Sequence, residues 1–156
     1  MTPRSNARIE MIREFSARSE IVFQAMSDPK LVERWFFPRR DVVLTIDQFD
    51  FAVKGHYRFR YQFPDGVTSK VRGQFLKIVR PELVEFTWTW EPPDPHANVQ
   101  TLVTWRLLGI PSGTRLIVTH ERLPDDYIPM FGPGWTQTIQ HLAELLESIE
   151  TKEHAP

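Results

Sequence analysis

Cysteine is absent from the 156 residues, and that one absence removes several kinds of chemistry together. No disulfide, thiolate nucleophile, cysteine-held zinc or iron–sulfur cluster can be built. The absence also agrees with a reducing, cytoplasmic setting. An excess of either charge is missing too. Nineteen basic against twenty acidic side chains leave a net −1, so no overall field gathers nucleic acid or anionic lipid. No run approaches the roughly 20 apolar residues that a membrane helix needs. Charges interrupt the N-terminal MTPRSNARIEMIREF too often for a secretory core, so the whole chain reads as mature and soluble. Catalytic signatures are equally scarce. There is no Gly-rich phosphate loop, no HExxH and no GxSxG, and the spacing of His120 and His141 matches no ligand pattern. No cofactor and no metal are expected.

What is present is aromatic. Eleven Phe, five Trp and three Tyr make up 12% of a chain whose length fits one domain spanning 1–156, with its core over about 7–150. A chain of this size buries roughly 70% of its unfolded surface, enough for a core without staples.

The periodicity is mostly that of strands. RIEMIREF (8–15) alternates, with Ile9, Met11 and Phe15 on one face and Arg13 in the same register. SEIVFQAM follows as a short helix with Ser19 placed to cap it. Asp28-Pro29 opens a second helix, LVERWFF, that Pro38 ends. VVLTI (42–46) is β-branched. HYRFRYQF (56–63) sets Tyr57, Phe59, Tyr61 and Phe63 opposite His56, Arg58, Arg60 and Gln62. Beyond the Pro64-Asp65-Gly66 turn come SKVRGQFLKIV (69–79) and LVEFTWTW (83–90), the latter with Val84, Phe86, Trp88 and Trp90 on one face. VQTLVTWRLL (99–108) and TRLIVTHE (114–121) form the last hairpin, with Leu116, Val118 and His120 in phase. RLPDDYIPMFGPG (122–134) reads as a loop. GWTQTIQHLAELLESIE (134–150) is an amphipathic helix with Trp135, Ile139, Leu142, Leu145, Leu146 and Ile149 in one stripe. The expected fold is therefore α+β: about seven antiparallel strands in the order β-α-α-β-β-β-β-β-β-α, curved around the C-terminal helix.

Three polar residues stand in apolar registers: His120, Thr138 and Arg13. A buried polar or charged group costs several kcal/mol unless paired, so each is either partnered or faces a cavity. The convex strip Arg58, Arg60, Lys70 and Arg72 reads as a solvated face.

Taken together, the pieces resemble the START-like (SRPBCC, helix-grip) superfamily, and within it the family named for the activator of heat-shock-protein-90 ATPase homologue. The resemblance is carried by SEIVFQAMSDPKLVERWF, GHYRFRYQFPDG, GQFLKIVRPELVEFTW, VTWRLLGIPSGTRLIVTHERL and GWTQTIQHLAELLE, and covers roughly residues 7–150. The chain departs from the family at Lys54-Gly55, where paired glycines are usual, and at Phe51, where a basic residue is common. The resemblance implies a cavity between sheet and C-terminal helix that takes a hydrophobic or amphiphilic small molecule, aromatic or lipid-like, in a carrier or sensor role. The expected lining comes from Trp35, Tyr57, Phe59, Tyr61, Phe75 and Trp88. Trp90, Trp105, His120, Trp135, Thr138 and Leu142 complete it, although each ring taken alone reads as core and only the set points to a cavity. The resemblance also implies that some relatives use the cavity for aromatase or cyclase chemistry, so an enzyme of the cyclase, aromatase or hydrolase type is an alternative reading. An enzyme of that type would need His120, with a Tyr or an Arg such as Arg13, to move protons within the pocket. A co-chaperone-like interaction module, as the family's name suggests, and a homodimer through exposed edge strands are further readings.

Overall fold

In a computed structural model, which describes residues 7–153, the alternating segments become a seven-stranded sheet. The strands are β1 (Ala7–Phe15), β2 (Val43–Phe49), β3 (His56–Gln62), β4 (Thr68–Val79), β5 (Leu83–Trp90), β6 (Thr101–Ile110) and β7 (Gly113–Leu123). Every pairing is antiparallel, in the order β1-β7-β6-β5-β4-β3-β2. Successive strands from β2 to β7 are therefore sheet neighbours, and the longest link between them is the 91–100 loop. Two helices, α1 (Ser19–Ser27) and α2 (Pro29–Val32), fill the excursion from β1 to β2. Helix α3 (Ile128–Glu153) closes the chain and packs on β1 and α1. Its stripe of Trp135, Ile139, Leu142 and Leu146 is buried in the same core as the inner rows of the strands. The architecture is the helix grip expected of the α+β pattern. Among the described residues no helix is long and apolar enough to cross a membrane.

Three local expectations are corrected. The 122–134 segment is not a loop: a 3-10 turn at Asp125–Tyr127 leads directly into α3 at Ile128. Pro129 lies in the first helical turn, where its missing N–H has no partner to lose. Pro133 removes one bond, to the Pro129 carbonyl, but burial of Tyr127, Phe131 and Trp135 holds the turn against that loss. Ser19 is the first residue of α1 rather than its cap, which is Arg18. Thr114 Oγ1 donates to the Ala17 carbonyl (2.7 Å), so Ser19 Oγ donates to Thr114 Oγ1 (3.1 Å) and ties α1 to β7. The second helix ends at Val32 and continues as turns, not through Phe37.

Trp35, just beyond α2, ties that turn back to α1. Within α1 the Ala25 carbonyl would receive the N–H of residue 29, but residue 29 is proline. The fully buried Trp35 indole supplies the missing donor, Nε1 to Ala25 O at 2.8 Å. Trp35→Phe is expected to lower stability by about 2–3 kcal/mol, since it orphans a buried carbonyl and leaves a void. Urea denaturation measures this; a loss below about 0.5 kcal/mol would remove the capping role.

On the inner face Tyr57 lies across its cross-strand partner Gly73. A Cβ at Gly73 would collide with the Tyr57 ring and with the Thr87 carbonyl. Tyr57 Oη donates to that carbonyl (2.5 Å), while the Gln74 N–H turns to Thr87 Oγ1 (2.9 Å). A side-chain hydroxyl thus takes a place in the β4–β5 ladder, above the one residue small enough to admit it. On the convex face Arg60 bonds to Asp47 and Arg58 to Glu91, so the basic strip is partly neutralised.

Candidate functional site

An apolar recess of about 300 Å³ opens between the β3–β5 end of the sheet and the start of α3. Alternation along β3 and β5 points Tyr61, Trp88 and Trp90 into it, with Phe63 just beyond β3. Phe36 and Pro38, after α2, supply one wall; Phe131, Trp135 and Thr138 of α3 supply another. The recess exists because two lining positions are small. Ser69 of β4 stands opposite Tyr61 and is followed two residues later by Val71, the partner of Trp90. Gly134 of α3 has nothing within 4 Å of where its Cβ would be. The rows of rings dip at these two points.

The wall is held by specific bonds. Tyr61 Oη donates to the Phe36 carbonyl at 3.0 Å. The Phe36 ring then stacks with Trp88 (5.8 Å between centroids, 18° between planes) and meets Trp135 edge-on (5.8 Å, 70°). Burial pushes the Tyr57 and Tyr61 phenols well above their ordinary range, so both remain donors.

His120 sits behind this wall, fully buried. Thr101 Oγ1 donates its proton to the Trp88 carbonyl (2.8 Å), so it must accept from His120 Nε2 (2.7 Å). Trp135 Nε1 can only donate, and it donates to His120 Nδ1 (3.1 Å). The imidazole is therefore the neutral Nε2–H tautomer with both nitrogens committed. Burial lowers its pKa to about 3. It acts as a bracket, joining the backbone of Trp88 to the ring of Trp135. Neither partner titrates near neutrality, so the proton-moving pair that an enzymatic reading assigned to His120 is not assembled.

Arg13 is distant from this bracket. It lies four residues along the β1–β7 ladder from the His120 position, roughly 13 Å away. There it donates to Gln140 Oε1 of α3 at 2.9 Å. Of the other expected lining residues, Tyr57, Phe59, Phe75 and Trp105 surround a separate void of about 10 Å³, scarcely room for one water. Trp35 and Leu142 border neither space; both are core. Phe36, Pro38, Phe63, Ser69, Asp94, Phe131 and Gly134 join the recess without having been anticipated. A wider groove of about 600 Å³ crosses the convex face beside His56, Arg58 and Gln74, and its lining is mostly polar. Among the described residues no group of three or more His, Asp or Glu side chains is placed to hold a metal.

Comparison with solved structures places this geometry in context. A crystal structure from Chromobacterium violaceum shares 26% identity and superposes with a TM-score of 0.80, over 89% of this chain and 96% of that one. The AHSA1 protein of Silicibacter pomeroyi is 29% identical, with a TM-score of 0.80 over 90% and 98% of the two chains. An Arthrobacter aurescens protein solved in solution shares the fold at 22% identity, with a TM-score of 0.79 over 90% and 86%. No curated protein matches the chain. The family model for Activator of Hsp90 ATPase homolog 1-like proteins matches residues 16–147, most of the chain. With its helix-grip architecture and that match over β2–β7 and most of α3, the chain belongs to the Activator of Hsp90 ATPase homolog 1-like family of START-like proteins.

Proposed function

We propose that the protein binds a small hydrophobic molecule in the recess between the sheet and α3, as a carrier or sensor. The observation that carries this reading is the recess itself, an aromatic-walled space of about 300 Å³ kept open by Ser69 and Gly134. That volume is at the small end of ligand pockets, about 300–1,000 Å³. Tyr61, Trp88, Trp90 and Trp135 are assigned the apolar contacts, and Thr138 and Ser69 the polar ones. Trp35, Leu142 and His120 shape the wall from behind. Two of these rings, Tyr61 and Trp135, are braced by buried hydrogen bonds and lose little freedom when a ligand enters, which favours affinity.

The test is to fill the space. Native mass spectrometry of gently purified protein is expected to show a retained small molecule, and its addition should quench tryptophan fluorescence. Ser69→Phe places a ring where the row dips and should weaken binding at least tenfold, about 1.4 kcal/mol, while the chain remains folded by circular dichroism. Unchanged quenching in folded Ser69→Phe would move the binding site elsewhere.

A further inference from the structure

The recess also carries an electrostatic sign. None of its lining residues is lysine, arginine or histidine, and its single carboxylate is Asp94, on the loop joining β5 to β6. One oxygen of that carboxylate accepts the His96 backbone N–H at 2.8 Å, which shapes the turn but brings no countercharge. No cationic side chain pairs with Asp94 among the described residues. The basic residues beyond Pro38 are committed elsewhere: Arg39 to Asp41, and Arg40 to Glu144.

A neighbouring phenol reports the same field. Tyr127 packs against Phe131 (5.8 Å) and donates to the His96 carbonyl (3.0 Å). Its pKa is raised, first by burial, then by the charges of Asp126 and Asp94. Of these two carboxylates, Asp94 is the one that lines the recess. Deeper in, the walls are ring faces set at steep angles: Trp88 against Trp90 at 87° and 5.5 Å, and Tyr61 against Trp90 at 55° and 6.1 Å. Aromatic faces carry negative quadrupole potential and attract cations.

We infer that the recess selects an organic cation, an amine or quaternary ammonium attached to an aromatic or alicyclic body, over neutral and anionic molecules of the same shape. The inference rests on the recess being the binding site. The apolar body fills the space between Phe36 and Trp135, and the cationic group sits against Trp90 and Asp94. An anionic head group entering the same way would meet the Asp94 carboxylate and ring faces, and the donors present, the unpartnered indole N–H groups of Trp88 and Trp90 and the hydroxyls of Ser69 and Thr138, are all neutral and bring no countercharge.

Three naphthalenes that differ in their head group separate the alternatives by isothermal titration calorimetry: 2-naphthylmethylammonium, its neutral isostere 2-naphthylmethanol, and 2-naphthaleneacetate. The ammonium probe is expected to bind roughly tenfold more tightly than the alcohol, and the acetate most weakly. The preference should shrink as salt rises. Asp94→Asn is expected to bring the ammonium-to-alcohol affinity ratio close to one. Glu10→Gln, which makes the same charge change on the far edge strand, should leave that ratio standing. Equal binding of all three probes, or preference for the acetate, overturns the cation inference while the recess remains a binding site. No binding of any probe overturns the recess reading itself.

Discussion

Replacing Gly73 by alanine is expected to cost about 3–4 kcal/mol of stability, a large share of a small domain's total. The new methyl group would occupy space already held by the Tyr57 ring and the Thr87 carbonyl. Neither can retreat easily. The ring is packed by Phe59, Phe75 and Phe86, and the carbonyl belongs to the β5 backbone. If Tyr57 is displaced, its hydroxyl leaves the Thr87 carbonyl buried and unpaired, which adds to the strain. Gly109→Ala is the control. That glycine also lies in a strand, but nothing stands within 4 Å of where its Cβ would be, so its effect should stay within about 1 kcal/mol. Urea unfolding of both variants decides the matter. Similar midpoints for the two would mean that Tyr57 is not wedged on Gly73.

Acid is expected to destabilise the protein well above the carboxylate range, through His120. The ring is neutral in the folded state down to a pKa of about 3 because burial opposes its charged form. Protonation would also set an Nδ1–H against the Trp135 indole N–H, donor facing donor. In the unfolded chain the same ring protonates near its ordinary 6.5. Above pH 6.5 both states are neutral and the stability is intact. As pH falls below 6.5 the unfolded state takes up a proton that the folded state refuses. Stability then drops by about 1.4 kcal/mol per pH unit, reaching about 3 kcal/mol by pH 4. The carboxyls of Asp47 and Glu144, held low chiefly by hydrogen bonds from Arg60 and Arg40, contribute mainly below that window. Two measurements check this. Imidazole NMR should show the His120 Nε2–H tautomer unchanged from pH 8 to pH 4. Unfolding of His120→Gln should lack the His120 part of the slope. A His120 signal that titrates near 6 would refute the sealed bracket.

Much of the sheet was legible because a half-buried strand writes its fold as a period of two. HYRFRYQF and LVEFTWTW each declare an inward row, and those rows pair through β4 as their alternation requires. The start of α3 was not legible. Two prolines and two glycines between 129 and 134 argue locally for a loop, and the burial that overrides them comes from strands far away in sequence. The recess suffered the same blindness. It is defined by what Ser69 and Gly134 lack, and a missing side chain has no pattern until the opposing rings are in place. Phe36 and Phe131 were hidden for a related reason, since both sit on segments whose inward face depends on tertiary packing. His120 stood out as polar in an apolar register. Its partners, Thr101 on β6 and Trp135 on α3, meet only once the grip has closed. Arg13 stood out by the same logic, yet its partner is Gln140, well away from the recess.

The strand order has a consequence in time as well as in space. Six strands join neighbours adjacent in sequence, so β2 to β7 can zip by short hairpins. β1 instead waits for β7, with Phe15 meeting Thr114 and Ile9 meeting His120 across some hundred intervening residues. Closing so long a loop is entropically slow, and its reward comes only when β7 already stands beside β6. During synthesis β1 is made well before β7, the strand with which it must pair. Until it docks, the unpaired edge of β7, the strand that carries His120, remains open.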